Sequence, residues 1–488
     1  MAAMRRLALA FALASLPGSA LAVPAFPGCE GFGCETPGGR KGRVIAVTSL
    51  ADSGPGTLRA ALEARGPRTV VLRVAGIVTL ERPIVVSSGF LTVAGQTAPG
   101  SGLLVRNKTA SPYGLAADSF TSLEIRADDV VIRHLAIRPG VWPAVPGCTR
   151  MNALRHPQGW GTCIDANDVQ AISIRGRRIV LDHLSLSHGT DELIDVDGRS
   201  SDVALLDSIV SHGYRSFPYC GFATRCVMYR GMGIITGDLA TGQPDRVTLA
   251  GTLWAHLMAR APQVAAKTAD VRGNLTYDWR DYAVDVNNLL GPVRANIASN
   301  VFLPGPETTA AARTQAFELH DWNQEPRVRV AKAPIGLHLA DLVGAGTIAC
   351  TRWVAPGWTP CTANQYAASP IPTPAPPPAD QVVERVLSGA GASLRLGATG
   401  QLEPRRDSID QQLVAEVRAR AGRSPSYTDP VPWPKPESGA PYADSDGDGI
   451  ADEYERLHGL DPGAADGDGD RDGDGFTNLE EFLNGTPP

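Results

Sequence analysis

The sequence predicts a mainly β protein in which short strands stack as successive coils of a solenoid, followed by a small acidic C-terminal module. Short β-branched runs recur between about residues 40 and 305, separated by glycine, asparagine, aspartate or proline. Many runs are followed about 20 to 25 residues later by another, as in stacked coils. A β-sandwich would more often show Asn-Gly hairpin signals, which are nearly absent. The strand runs are 43–47, 69–74, 84–86, 91–93, 130–132, 172–174, 179–181, 203–206 and 246–249.

Two helices are predicted beside these strands. Residues 56–64 form a short amphipathic segment with Thr57 near its N-cap. Residues 407–420 repeat apolar side chains at helical spacing, so one face of this helix should be buried. That face consists of Ile409, Leu413, Val414 and Val417.

The first 22 residues have the features of a secretory signal peptide. Arg5 and Arg6 form the charged start, residues 7–16 are apolar, and Ala20-Leu21-Ala22 is a small-x-small cleavage site. The alternative is a buried N-terminal helix. No later run approaches the roughly 20 apolar residues of a membrane span, so an exported, soluble protein without a membrane partner is expected, extracellular or periplasmic.

Eight cysteines fit an exported protein. Their order favours pairs that are local in sequence, although eight cysteines allow 105 connectivities and this pairing rests on proximity alone. No spacing is CxxC, which makes a zinc site a weak alternative. The proposed pairs are Cys29 with Cys34, Cys148 with Cys163, Cys220 with Cys226, and Cys350 with Cys361.

Two loops near the C-terminus match an EF-hand-like calcium pattern position by position. They span 444–455 and 470–481, with aspartates at positions 1, 3 and 5, glycine at 6 and glutamate at 12. Position 9 is also able to ligate in both loops. The alternative is an acidic disordered tail. The predicted Ca²⁺ ligands are Asp444, Asp446, Asp448, Asp452 and Glu455 in the first loop, and Asp470, Asp472, Asp474, Asn478 and Glu481 in the second.

Charge is distributed unevenly along the chain. Residues 442–488 contain 14 acidic residues and 2 arginines, a net charge of −12, whereas the whole chain has −6. Residues 1–441 therefore carry about +6. A mildly basic body suits a polyanionic partner, although many ordinary proteins share this charge.

The densest polar segment is 181–198. Asp191, Asp195 and Asp197 are separated by even numbers of residues, so an extended strand would place them on one face. Packed like charges need protons or a cation, and calcium is the expected cation in an exported protein. A solvated acidic edge without metal is the open alternative. His183 is predicted as a core or ladder histidine, because its strand neighbours are apolar.

Segments spread over nearly the whole mature chain resemble one known family. The run 179–183 followed by Asp191-Glu192 resembles the central motif of pectate lyases of polysaccharide lyase family 1, and 259–262 resembles their Arg-x-Pro motif. The resemblance implies a right-handed, single-stranded parallel β-helix and a secreted enzyme. The acidic loops also resemble dockerin and thrombospondin type 3 repeats. Further matching segments are 25–33, 47–59, 93–100, 406–410 and 477–481.

The resemblance implies calcium-dependent eliminative cleavage of polygalacturonate. The C5 proton of galacturonate is acidic because the adjacent carboxylate accepts charge, and a cation on that carboxylate stabilises the developing anion. Matched residue by residue, Asp191 and Asp195 correspond to calcium ligands and Arg260 to the base. Arg230 lies where the family often has a basic substrate-binding residue.

The sequence departs from the family pattern at two places. Gln170 stands where a further calcium-ligating aspartate is usual, and Asp168, on the same strand face, is expected to replace it. Ala265 lies where a second arginine or a polar equivalent is expected, and Lys267 is predicted to compensate. Arg215 completes the predicted substrate-binding residues.

Three functions therefore remain open: a pectate lyase, a calcium-independent lyase for methylated pectin, and a non-catalytic polyuronate-binding protein. A monomer that binds polygalacturonate or pectin, and no nucleic acid, is expected. The C-terminal loops could also dock a partner. The predicted organisation is a signal peptide (1–22), a β-helix (23–368), a Pro-rich segment (369–380), a helical extension packed on the β-helix (381–429), a Pro-rich linker (430–441) and the calcium loops (442–488).

Overall fold

The computed structural model shows a chain that consists mainly of short parallel strands. Within the described residues it contains 30 strands and five α-helices. Strands β1–β28 lie in four parallel sheets, and β29 and β30 form a separate antiparallel pair. The structure describes residues 23–108, 120–140, 169–214, 231–320, 334–346, 349–350, 364–365, 371, 373–426 and 429–488.

The strands are numbered in chain order, whereas their order within each sheet follows their neighbours in space. Sheet A contains β1 (Arg43–Val47), β2 (Arg68–Leu72), β5 (Leu91–Ala94), β8 (Val130–Arg133), β11 (Arg177–Asp182), β14 (Ser201–Leu206), β17 (Asp245–Ala250), β20 (Thr268–Arg272), β23 (Val293–Ala298), β26 (Ile335–Ala340) and β28 (Asn364–Gln365). Sheet B contains β16 (Met232–Thr236), β13 (Glu192–Val196), β10 (Ile172–Ile174), β7 (Leu123–Ile125) and β4 (Ile84–Val86). Sheet C contains β24 (Val301–Leu303), β21 (Leu275–Tyr277), β18 (Leu253–Ala255), β15 (Ile209–Ser211), β12 (Ser185–Ser187), β9 (Ala136–Ile137), β6 (Leu103–Asn107) and β3 (Gly76–Leu80). Sheet D contains β19 (Gln263–Val264), β22 (Val284–Asn287), β25 (Phe317–His320) and β27 (Ala349–Cys350); the separate pair is β29 (Leu394–Leu396) with β30 (Leu402–Pro404).

Each coil contributes strands to different sheets, so neighbours within a sheet come from successive coils. β11 of sheet A pairs with β8 on one side and β14 on the other, which places Ile179 between Val130 and Val203. This arrangement is a parallel β-helix, and it confirms the predicted fold class. The strand runs predicted from the sequence all fall on strands of sheets A and B.

The core fills the interior of the coils. Ile172, Ile194 and Ile234 stack in register through β10, β13 and β16, and each is at most 1% exposed. Full burial of such a side chain contributes about 1.5–3 kcal/mol. Asp195 lies between Ile194 and Val196 on β13, so the alternation of the strand directs its side chain outward.

Two longer helices cover the outer side of sheet C. α2 (Ala379–Gly389) and α3 (Ser408–Ala419) bury apolar side chains against residues of β15, β18, β21 and β24. The Asp407 side chain caps α3 by accepting from the backbone N–H groups of Ile409 and Asp410. This helix confirms the predicted segment 407–420, and Ile409, Leu413 and Val417 of the predicted face are buried, whereas Val414 is partly buried. α1 (Leu58–Leu62) confirms the other predicted helix and has Thr57 as its N-cap.

The C-terminal module packs on the outer side of the first coils of sheet A. Its helices, α4 (Asp452–His458) and α5 (Asn478–Asn484), bury Tyr454 and Phe482 in a cluster that includes Ala94 of β5. Arg133 of β8 donates to the Asn484 side chain at 2.7 Å. The acidic module is therefore in direct apolar and polar contact with the β-helix.

The segment 430–441, predicted as a linker, also contacts the β-helix. Ser101 donates its backbone N–H to the Glu437 carbonyl at 3.0 Å, and the Arg106 guanidinium lies 5.1 Å from the Trp433 ring centroid. The segment that connects the helical extension to the C-terminal module therefore lies along the surface of the coils.

One predicted disulfide can be compared with the structure. Cys29 and Cys34 are bonded, with their Cα atoms 5.6 Å apart, which confirms that local pair. The other three pairs and the signal peptide lie wholly or partly outside the described residues. Among the described helices, none is both long and apolar enough to cross a membrane.

Candidate functional site

The outer face of sheet B next to Asp195, named the groove from here on, carries part of the acidic segment that the sequence predicts. Asp195 projects from β13 beside Ser173 of β10, whose hydroxyl donates to its carboxylate at 3.4 Å. Burial, followed by the negative charges of Glu192, Asp197 and Asp238, raises the pKa of Asp195 to about 6. Asp195 does not occur among the salt bridges of the described residues. A partly buried carboxylate with this much uncompensated negative charge around it fits a bound cation.

Arg260 reaches the start of β13 from a later coil. It precedes β19, and its guanidinium forms an ion pair with Glu192, whose side chain is 5% exposed. Burial alone would lower the pKa of Arg260, but the surrounding carboxylates, led by Glu192, outweigh it and raise the pKa above its usual value. Arg260 is therefore a cation held at the groove.

The three aspartates of the segment 191–197 differ in their surroundings. Asp191 is 8% exposed and immediately precedes β13. Asp197 accepts from Arg175 at 2.9 Å and from Arg199 at 2.7 Å. Those arginines lower the pKa of Asp197 to about 2, although burial acts in the opposite direction. The expectation that all three share a need for a cation is thus wrong for Asp197, because arginines already balance its charge.

A polar network on sheet D is linked to β16 of sheet B and was missed from the sequence. Thr236 of β16 donates its N–H to the Gln263 side chain, which in turn donates to Asp285 at 3.2 Å. Nδ1 of His320 lies 2.7 Å from the Asp285 carboxylate, and its Nε2 lies 3.2 Å from Glu318. Although burial opposes protonation, these hydrogen bonds raise the pKa of His320 to about 9. The only signal in the sequence is alternation along β22 and β25.

The predicted residues around the groove are placed as follows. The Gln170 side-chain carbonyl accepts from Thr121 at 3.2 Å. Lys267 is exposed in the turn before β20, and its ammonium lies 3.9 Å from Asp245 of sheet A. Within the described contacts it meets neither Arg260 nor Asp195. The predicted residues Asp168, Arg215 and Arg230 lie outside the described residues.

The two C-terminal loops have matching backbone geometry. In the first, the N–H groups of Gly447, Asp448 and Ile450 donate to the side chains of Asp444, Asp446 and Asp448 at 2.9, 3.2 and 2.9 Å. The second repeats these three bonds at Gly473, Asp474 and Phe476, with distances of 2.8, 3.0 and 2.9 Å. Gly449 and Gly475, at position 6, have φ of 95° and 100°, which favours glycine.

The carboxylates of these loops lie close together, and several of their oxygens have no hydrogen-bond donor. In each loop the aspartates at positions 1, 3 and 5 bring oxygens within 4.8 Å of one another. Both Glu455 side-chain oxygens and one oxygen of Glu481 are buried without a hydrogen-bond partner. Burial, followed by neighbouring aspartates, raises the pKa of each glutamate to about 7. Oxygen donors of this number and type fit calcium.

Two details of the loops differ from the simplest ligand assignment. Asp452 and Asn478, at position 9, accept from the backbone N–H at position 2 of their own loops, at 2.7 and 3.2 Å. Asp466 brings a carboxylate oxygen within 4.8 Å of those of Asp448 and Glu455, and one of its oxygens is buried and unpartnered. Asp466 lies outside the twelve-residue pattern, so the spacing alone did not select it.

Comparison with known proteins finds relatives of nearly the same length. A protein named Probable pectate lyase C from Neosartorya fischeri is 30% identical over 493 residues, covering 98% of this chain and 98% of that protein. A protein of the same name from Aspergillus terreus is 29% identical over 490 residues, covering 98% and 97%. No family model matches the chain.

Among solved structures, jun a 1, the major allergen from cedar pollen, has 18% sequence identity and a TM-score of 0.49. That match covers 74% of this chain and 92% of the allergen. The register of the stacked strands, rather than this distant likeness, defines the fold.

The stacked parallel coils and the full-length relatives place the protein among the polysaccharide lyases. With 30% identity across almost the whole of both sequences, the chain belongs to the pectate lyase family. The alignment covers 98% of the chain, so it includes most of the C-terminal module. Membership of polysaccharide lyase family 1 and the likeness of the module to dockerins or thrombospondin repeats remain predictions.

Proposed function

We propose that the protein cleaves polygalacturonate by calcium-dependent elimination in the groove on the outer face of sheet B. The observation that carries this proposal is the meeting of Arg260 with β13, the strand that also presents Asp195. The positive charge of Arg260 can bind an anionic sugar, and the partly buried carboxylates beside it can bind a metal ion. The relatives named as pectate lyases support the same substrate class.

Asp195 and Asp191 are the proposed calcium ligands in the groove, and Asp168 is proposed to complete the set. When bound, the ion would neutralise the galacturonate carboxylate and so make the C5 proton more acidic. The raised pKa of Asp195 supports this assignment, because it shows negative charge that no described arginine or lysine balances. Asp197 is excluded from the set, since Arg175 and Arg199 hold it.

Arg260 is the proposed base, and Glu192 orients it. The ion pair fixes the direction of the guanidinium, but it also stabilises the protonated form. A protonated guanidinium cannot accept the C5 proton, so Arg260 has to lose its own proton first. We therefore expect the rate to rise towards alkaline pH. Arg215, Arg230 and Lys267 remain proposed substrate-binding residues.

The decisive experiment measures the absorbance of the unsaturated product in three reaction mixtures. Purified protein is given polygalacturonate with calcium, polygalacturonate with a chelator, and highly methylated pectin with a chelator. The proposal expects product only from polygalacturonate with calcium. Product from methylated pectin in chelator would instead identify a pectin lyase, and binding without any product would identify a polyuronate-binding protein.

The protein is further proposed to act outside the cytoplasm, as a monomer. The Cys29–Cys34 disulfide supports an oxidising compartment, in agreement with the predicted signal peptide. Loops packed on the β-helix through Tyr454 and Phe482 suit a stabilising role. Docking of a partner remains the alternative role, and a pull-down with calcium-loaded protein separates the two.

A further inference from the structure

A cluster of two histidines and a glutamate lies where α3 meets the end of two sheet C strands. His212 follows β15 and His256 follows β18, and because these strands pair in register the two rings lie one above the other, 5.0 Å apart. Glu416, in the last turn of α3, points at both from outside the coils. The cluster is on sheet C and includes none of the groove residues.

The second nitrogen of each ring is already engaged. Nδ1 of His256 lies 2.9 Å from the Asp278 carboxylate, and Nδ1 of His212 lies 3.1 Å from the Ser211 hydroxyl. In the tautomer that donates Nδ1–H to these groups, each ring directs the lone pair of Nε2 towards Glu416. A carboxylate behind a histidine, as Asp278 is behind His256, is a usual outer contact of a metal-bound imidazole. Gln412 similarly orients Glu416 by donating to its other oxygen at 2.7 Å.

The distances suit three ligands around one small ion. Nε2 of His212 lies 3.6 Å and Nε2 of His256 lies 3.3 Å from the same oxygen of Glu416. Donors bonded tetrahedrally to zinc at about 2.0–2.1 Å are separated by about 3.3 Å. All three donor atoms lie within 4.8 Å of one another.

Two further features point to a ligand. Nε2 of His256 and the facing oxygen of Glu416 are buried, yet neither completes a hydrogen bond, and the His256 side chain is 0% exposed. Gly422 passes over the cluster with φ of 90°, and a Cβ there would lie 2.7 Å from the Glu416 oxygen and 2.8 Å from the His256 ring. Glycine therefore leaves the space at the cluster open.

We propose that His212, His256 and Glu416 bind a divalent transition ion of the zinc class. Two imidazole nitrogens and one carboxylate oxygen suit such an ion, whereas calcium prefers oxygen donors alone. With neutral imidazoles, the ion's two positive charges balance the carboxylates of Glu416 and Asp278. The side chains of His212 and Glu416 are 12% and 18% exposed, so the cluster lies close to the protein surface.

The consequence of this site is a metal bond between α3 and the β-helix. Glu416 belongs to the helix, whereas both histidines belong to the coils. The ion would thus hold the end of α3 against sheet C, beside the apolar contacts of Leu413 and Val417. A metal that binds only the folded state raises its stability by mass action. This role is independent of the proposed lyase reaction.

The test uses the full chain, freed of metal with a chelator and then returned to excess calcium so that oxygen sites are filled. Zinc is titrated calorimetrically, and cobalt is added in parallel to detect the visible absorption of a low-symmetry, four-coordinate ion. We expect about one zinc ion per chain and a higher melting temperature with zinc. Glu416→Gln should abolish both effects, and Asp278→Asn should weaken zinc binding by about 10–100-fold.

Glu384→Gln is the matched control, because Glu384 is an exposed carboxylate of α2 that pairs with Arg418 of α3, the helix that carries Glu416. It should bind zinc as the unaltered chain does. Absence of stoichiometric zinc binding overturns the proposal, as does equal binding by Glu416→Gln and Glu384→Gln. That negative result would arise if His256 were protonated on both ring nitrogens, so that it bridges Asp278 and Glu416 without a metal ion. Because Glu416 is partly exposed, its isosteric variant should fold, and its melting curve without zinc verifies this.

Discussion

Asp195 and Asp197 lie two residues apart but differ in the charges around them, and this difference gives the first prediction. Asp195→Asn should abolish activity at low calcium and raise the calcium concentration needed for half-maximal rate, because it removes a proposed ligand. A calcium titration of the initial rate measures this. Asp197→Asn is the control: Arg175 and Arg199 hold that carboxylate, so its calcium dependence should stay unchanged. Equal shifts in both variants would contradict the assignment.

Arg260 gives the second prediction. Arg260→Lys should lower kcat by about 10²–10⁴-fold, the usual contribution of a positioned general base, while KM changes far less. Steady-state kinetics on polygalacturonate at saturating calcium separates the two constants. Arg199→Lys, an exposed arginine beside β13, is the control and should retain most of kcat. Near-full kcat in Arg260→Ala would transfer the base role to another residue, with Lys267 the first candidate.

His320 gives a prediction about pH and stability. Its pKa is about 9 in the folded protein and about 6.5 when unfolded. The Asp285 and Glu318 contacts therefore stabilise the fold fully below about pH 6.5, and this stabilisation is lost as pH rises through about 9, on the order of 3 kcal/mol at most. Urea unfolding of the unaltered chain should show this decline, whereas His320→Gln should flatten it. His458→Gln, in α4, is the control and should leave the decline in place.

Which of these residues could be found from the sequence depends on where their partners lie. The outward direction of Asp195 follows from alternation along one strand, so the spacing was sufficient. One of the two arginines that neutralise Asp197 is Arg175, which lies one coil earlier in the stack. No local sequence pattern reveals that contact. Glu192 was visible in the motif, but its ion pair with Arg260 depends on the register of coils 68 residues apart.

At the scale of elements, strands and helices were predictable because each has a local signal. Coil strands are β-branched runs with one buried face, and α3 has a capping aspartate and an apolar stripe. The histidine cluster was not predictable in this way. Its geometry depends on where Leu413 and Val417 seat α3 on sheet C, which places Glu416 over His256. Helix position against a sheet is set by packing, and the sequence period does not specify it.

The packing of α3 gives a prediction at this scale. Leu413 is 0% exposed in the cluster between α3 and sheet C. Leu413→Ala should therefore destabilise the protein by about 2–5 kcal/mol, the range for a large-to-small change in a core. Val414→Ala is the matched control, because Val414 is only partly buried on the same helix, and it should cost clearly less. Equal losses of melting temperature in the two variants would show that the helix is held by other contacts.

For the whole molecule, the structure adds contacts between the acidic tail and the body that the sequence did not indicate. Arg40 binds the Glu480 carboxylate at 2.8 Å, and Gln96 donates to the Leu483 carbonyl at 3.1 Å. Tyr454 and Phe482 close an apolar cluster with Ala94. The loop pattern contains every ligand within the tail, so its calcium chemistry was predictable, but its docking surface consists of residues some 350 to 440 positions away.

These contacts sharpen the prediction for a chain shortened to Ala440. It retains sheet B, Arg260 and Asp195, so it should keep lyase activity and the calcium dependence of the groove. It should lose about two bound calcium ions, one per loop, and its melting temperature should fall, because both the ions and the apolar cover of Ala94 are removed.

The full-length double variant Glu455→Gln with Glu481→Gln separates these two causes of the lower melting temperature. It removes the glutamate ligand of each loop but keeps Tyr454 and Phe482 in place. Calorimetric calcium counts and melting curves of the three proteins should rank the double variant between the other two in stability, with groove activity retained in all. Loss of activity in a shortened chain that still shows the β-helix circular dichroism spectrum would make the tail part of the catalytic site. The packing argues otherwise, because the tail rests on sheet A through Ala94 and Arg133, whereas the proposed catalytic residues face outward from sheet B.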